Sequence, residues 1–116
     1  MGTFTRANTT VAVDLPGLGQ QHRAEDGGMV IALEHWEAGL DTGEMFAELP
    51  DGACQERHFG YILKGTITMR YTDGTTETLR TGEAYSIRPG HNAHVDEEVD
   101  LVEFTQADQT PGINNL

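Results

Sequence analysis

The chain carries a single cysteine, Cys54, among 116 residues, so no disulfide can form within it and nothing in it requires an oxidising compartment. Basic residues are scarce as well: seven Lys and Arg stand against 19 Asp and Glu, a formal net charge of -12. A field of that sign repels phosphate backbones and anionic membrane surfaces, which argues against nucleic acid and membranes as partners. No apolar run approaches the roughly 20 residues of a membrane-spanning helix. Residues 1–13 contain no basic stretch followed by an apolar one, the pattern of a secretory signal, and the expected location is cytoplasmic. Also missing are a Ser-His-Asp arrangement, a phosphate-cradling glycine loop and a dinucleotide fingerprint, since Gly17-Leu18-Gly19 lies in no strand-turn-helix context.

Hydrophobic residues make up 37% of the chain and aromatics 7%, enough for one small core in a single domain spanning 1–116. The 14 glycines recur with Thr, Asp and Pro between short apolar runs, which is turn chemistry separating strands. After an N-terminal arm at 1–13, the pattern predicts strands at 10–15, 29–36, 44–49, 56–63, 66–71, 76–80, 84–87, 91–95 and 101–104. His22 falls in a polar loop on this reading. The segment Thr72-Asp73-Gly74-Thr75 is a hairpin turn built on the favoured Asp-Gly pair. About nine short strands and no helix make an all-β chain that hides its edges by closing into a barrel or jelly roll.

Residues 51–104 add a more specific signal. Tyr61-Ile62-Leu63-Lys64-Gly65 closes one segment and Gly82-Glu83 opens another, with a short hairpin between them. The pair resembles the two motifs of the cupins, and within that family the short members that read Cys, three residues, His, x, Gly-Tyr and later Pro-Gly-His. Cys54, His58, Gly60, Tyr61 and His91 match. The resemblance implies a double-stranded β-helix, the jelly-roll cupin barrel, with four ligands around one divalent metal: His-x-His and Glu from the first motif and a further His from the second. Here the frame is kept and the ligands change. Aligning on Gly65 puts His58 at the usual Glu, Cys54 at the second His and Gly52 at the first. In the second motif, aligning on Gly82 puts Ala93 at the metal His, whereas aligning on Pro89 puts His94 there. A one-residue slip turns a strand's side chains to the other face, so His91 and His94 are alternatives for facing the pocket.

Cys54, Glu56 and His58 are spaced to share one face of a strand, with His91 meeting them from across the barrel. A thiolate with two imidazoles suits Fe, Zn or Cu; Glu56 in place of Cys54 would favour Mn or Ni. The candidate metal ligands are therefore His58, His91 and Cys54, and the candidate acid–base groups His58, Glu56 and Tyr85. Trp36, Tyr61 and Glu103 are the expected pocket wall. Against this stands a simpler reading, in which the two histidines are hydrogen-bonded interior residues and Cys54 is a small buried hydrophobe. His35, beside Trp36, reads as an ordinary sheet residue. The expected function is action on a small organic molecule by oxygenase, lyase or isomerase/cyclase chemistry, with a metal-free binding or sensor module as the alternative. A homodimer follows from the resemblance, the arm adding to a partner's sheet edge.

Overall fold

The computed structural model describes residues 2–108. It contains β1 (Thr10–Leu15), β2 (Gly19–Asp26), β3 (Met29–Trp36), β4 (His58–Tyr71), β5 (Thr76–Arg80), β6 (Ala84–Ile87) and β7 (His91–Gln106). Helical structure among the described residues is limited to two 3-10 turns, Arg6–Asn8 and Pro50–Gly52. All strands are antiparallel, in the order β1-β2-β3-β7-β4-β5, with β6 also paired to β4. The all-β jelly-roll expectation holds.

The predicted pairs 56–63 with 66–71 and 91–95 with 101–104 each merge into one long strand, β4 and β7. Bulges, not turns, interrupt them: the β4·β7 register shifts between Ile62 and Ile67. Gly65 sits at this point with φ 88, and a Cβ there would run into the Glu98 carbonyl of β7. Only glycine lets the two backbones approach so closely at a left-handed position. The bulges bend the ribbon, so that one half of β4 pairs with β6 and the other with β5.

Two further expectations are corrected. His22 lies in β2, paired with Leu33 of β3; the polar residues of 19–26 form a strand because β3 offers a full ladder of partners. The predicted strand at 44–49 is a series of turns, because the edge of β7 is taken by residues on either side of it. Gly39 and Val95, Thr42 and Ala93, and Cys54 and His91 are joined by backbone hydrogen bonds. Residues 37–57 thus run as an irregular strap along β7, and the turns between its anchor points carry Phe46 into the interior, 2% exposed. The end of the expected arm, residues 10–13, belongs to β1 and pairs with β2 in the chain's own sheet.

The core fills the fold between the layers, with Trp36, Ile62, Ile67, Met69, Ile87, Val95, Val99 and Leu101 all buried. The opposite face of β3, β7 and β4 is apolar too. Phe104 stands between Ile31 and Phe59, and Val102 between Leu33 and Tyr61. Phe59, Tyr61, Leu63 and Phe104 are exposed there.

Candidate functional site

Three side chains converge at the barrel interior. His58 opens β4, His91 opens β7, and Cys54 lies on the strap, bridged to His91 through the backbone. All three are buried, and their donor atoms lie within 4.8 Å of one another. Cys54 Sγ is 3.6 Å from His58 Nε2, and the two imidazole rings meet edge to face with centroids 5.2 Å apart.

The surrounding hydrogen bonds fix the tautomer of His91 and orient the ring of His58. His91 Nδ1 lies 2.8 Å from the Arg88 carbonyl, which can only accept, so Nδ1 carries the proton and Nε2 keeps its lone pair. That Nε2 is buried and has no hydrogen-bond partner. His58 Nδ1 and Thr105 Oγ1 share a hydrogen bond of 2.6 Å, with Glu103 Oε2 3.5 Å from the same nitrogen, and His58 Nε2 faces the Cys54 sulfur. Burial pushes His91 down to about 4 and the Cys54 thiol up to about 12. At neutral pH the site therefore offers the neutral imidazole of His91 and a Cys54 thiol that loses its proton only to a cation.

This donor set fits a metal ion. Bonds of about 2.3 Å to sulfur and about 2.05 Å to nitrogen at a tetrahedral angle separate the two ligand atoms by about 3.6 Å, the distance found. Nδ1 hydrogen bonds that orient a ligating imidazole are the usual outer layer of such sites. Three protein ligands leave a coordination position open.

His94, the alternative to His91, points the other way: it is half-exposed, with Nδ1 3.2 Å from Asp41 Oδ2. His35 also faces outward, held between Asp100 and Glu37 at 2.6 Å each. Glu56 is 4% exposed, and burial pushes it up to about 7 against the opposing field of Arg23. It nevertheless lies outside the three-residue cluster. Its predicted strand position is a correction, for 54–57 precede β4.

Next to the cluster is a cavity of about 30 Å³, room for one or two waters. His91 belongs to both. Trp36, Leu40, Phe46, Ile67, Met69 and Leu101 form its apolar wall, and Glu34 and Glu103 its polar end. Of the three residues expected on the pocket wall, Trp36 and Glu103 line this cavity. Tyr61 does not: it is 41% exposed on the outer face of β4, because the bulged strand turns Ile62 inward. Tyr85 reaches the cavity only through Glu103, donating to Oε1 at 2.7 Å.

Glu34 is the residue that sequence reasoning missed, together with its partner Gln21 and with Thr105. Gln21 Nε2 and Trp36 Nε1 donate to its two oxygens at 3.0 and 2.8 Å. Burial, reinforced by the neighbouring Glu103, pushes Glu34 up to about 7, and burial likewise lifts Glu103 to about 7. The available signal was a charge within the 29–36 apolar run, two residues before Trp36.

No known family profile matches the chain, and no curated protein matches it in sequence. Its three-dimensional likenesses are clear. It aligns with an RmlC-like cupin from Shewanella frigidimarina at TM-score 0.63, with 12% identity over 91% of this chain and 90% of that one. A protein of unknown function from Vibrio parahaemolyticus aligns at 0.61, with 11% identity over 84% and 97%. HppE in its FeII form aligns at 0.63, with 9% identity over 90% and 60%. Oxalate decarboxylase of Bacillus subtilis matches at 0.63, with 11% identity, over 95% of this chain but 32% of its own. With the strand order and the Gly65 bulge, these likenesses identify the fold: the chain folds as a small jelly-roll β-barrel similar to that of the RmlC-like cupin.

Proposed function

We propose that this protein is a metal-dependent cupin enzyme that acts on a small organic molecule, with Cys54, His58 and His91 holding one divalent transition metal. The observation that carries the reading is His91 Nε2: a buried imidazole nitrogen, its lone pair fixed by the Arg88 carbonyl, without a partner. A buried acceptor left unpaired costs about 1–3 kcal/mol, and it points to where Cys54 and His58 converge. The thiolate and two imidazoles favour zinc, iron or copper over harder ions. When bound, such an ion polarises a carbonyl or enol oxygen at its open position, which suits oxygenase, lyase or isomerase chemistry. The protein's own groups hold His58 through Thr105 and close the cavity with Trp36 and Phe46.

Elemental analysis of untagged protein, beside the His58→Ala variant, tests this. One equivalent of metal in the parent and a large loss in the variant are expected. Cobalt loading should give a thiolate charge-transfer band that Cys54→Ala lacks. Absence of stoichiometric metal after purification and after reloading would sink the proposal in favour of a metal-free binding or acid–base cupin. Turnover and thermal shift, followed separately on a panel of enolisable acids and diketones, separate enzyme from binder.

We further propose a homodimer formed through the exposed apolar face around Phe59, Tyr61 and Phe104. An apolar patch of this kind on a strongly acidic protein favours association over solvent.

A further inference from the structure

The three clustered side chains and the cavity beside them are closed off from solvent. Cys54, His58 and His91 are each at most 2% exposed, and the cavity of about 30 Å³ holds no more than a water or two. An ion or an organic molecule reaches them only if part of the wall moves. Most of that wall is sheet: its residues come from β3, β4, β6 and β7, and parting those strands would break the backbone ladders between them. The exceptions are Leu40, Thr42 and Phe46, all on the strap.

The strap is fastened unevenly. Gly39 and Leu40 exchange backbone hydrogen bonds with Val95, and Thr42 bonds Ala93 through its amide and its hydroxyl. Fastening to β7 resumes at Gly52, whose carbonyl accepts from Asn92 Nδ2 at 2.8 Å, and at Cys54. Between these points the hydrogen bonds of 43–51 stay within the strap, and Phe46 is the one buried residue. Gly43 stands at one end of this stretch. At the other, Asp51 and Gly52 are both left-handed, with φ 57 and 65. Outside lies an open groove of about 610 Å³ bounded by Leu15, Leu18, Glu44 and Met45, and Leu40 lines both the groove and the cavity.

We propose that residues 43–49 are a gate, pivoting at Gly43 and at Asp51-Gly52, whose outward swing withdraws the Phe46 ring and joins the cavity to the groove. The inference rests on the proposed site and adds how metal and small molecule reach it. A short segment held down by one side chain opens with far less loss of buried surface than the sheet, and hinges of this kind are a few residues at the ends of the moving piece.

Cys54 is the only cysteine, so its reaction with methyl methanethiosulfonate reports access to the cluster without any metal. This small neutral reagent transfers its methylthio group to the thiolate and releases methanesulfinate. Chelator-treated protein is labelled over a series of urea concentrations, followed by mass spectrometry, and compared with the equilibrium unfolding curve. Below the unfolding transition, labelling should run about 100-fold or more faster than global unfolding allows, with less than about half the global dependence on urea, because few residues open. Phe46→Ala should raise this low-urea rate about tenfold or more. Leu79→Ala, which hollows the core beneath β5, should act only through global unfolding and leave the low-urea rate unchanged. A parent rate that follows global unfolding in size and slope overturns the gate, whether or not Phe46→Ala folds. Equal acceleration by the two variants at low urea overturns it too. The metal assignment fails by a different sign, the absence of a cobalt–thiolate band, so the two readings are refuted separately.

Discussion

Replacing Gly60 by alanine tests whether the pairing of β4 with β7 and the placement of Tyr85 are as described. A Cβ at Gly60 would stand 2.5 Å from both Cζ and the hydroxyl oxygen of Tyr85, and closer still to the Val102 carbonyl oxygen. Real Cβ contacts do not come so near. The Tyr85 ring could rotate away, but the carbonyl belongs to the ladder in which Gly60 faces Glu103 and Tyr61 faces Val102. Backbone must therefore move. Overpacking of this sort costs about 1–3 kcal/mol. Displacing Tyr85 also removes its hydroxyl from Glu103 Oε1, a further cost of about 1–3 kcal/mol for a buried acceptor. The opposing benefit, reduced freedom of the unfolded chain, is about 0.4–1 kcal/mol and is outweighed. The net loss is roughly 1–5.5 kcal/mol, a fall in Tm of roughly 5–25 °C for a domain of this size. Urea unfolding followed by circular dichroism measures it, with Tyr85→Phe as the control that removes the hydroxyl alone. If Gly60→Ala lies within about 0.5 kcal/mol of the parent, or costs less than Tyr85→Phe, the close approach at this point is wrong.

Thr105→Val should leave the fold intact and weaken cobalt or zinc affinity about 10–100-fold, because His58 loses the hydrogen bond that fixes its ring; competition against a chromophoric chelator reads this. His35 is raised above its ordinary 6.5, first by the Asp100 hydrogen bond and then by that to Glu37. A raised folded-state pKa contributes stability that is complete below the unfolded value and is lost as pH rises through the folded one. The stability gap between the parent and His35→Gln, taken from urea melts, should therefore be larger at pH 6 than at pH 9. Phe46→Ala should cost about 3–5 kcal/mol, since the buried ring closes the strap over the cavity; a change under about 1 kcal/mol in calorimetry would show that the strap is not packed as described. Tyr61→Glu places a charge on the exposed face and should convert the proposed dimer to a monomer, with light scattering giving half the parent mass.

The local signals in the sequence determined a good deal. Glycine-punctuated runs of period two led to all-β structure, and the Asp73-Gly74 hairpin joins β4 to β5 as expected. Cys54, His58 and His91 could be selected because they keep motif spacing where the usual ligands are absent. Other features depend on contacts between distant segments. Gly65 looks like a turn in sequence but is a bulge, because only the crossing of Glu98 on β7 decides that glycine is needed there. The choice of His91 over His94 required the bridge from Cys54, which fixes the register of β7. Tyr61 and Glu34 were misjudged for one physical reason. The sheet is apolar on both faces, so alternation around Ile31, Leu33, Phe59 and Tyr61 does not say which face is the interior. Pairing decides it: once β3, β7 and β4 close over Trp36, the side chains in phase with Trp36 turn inward, and Glu34 comes to lie beside Glu103 at the end of the cavity.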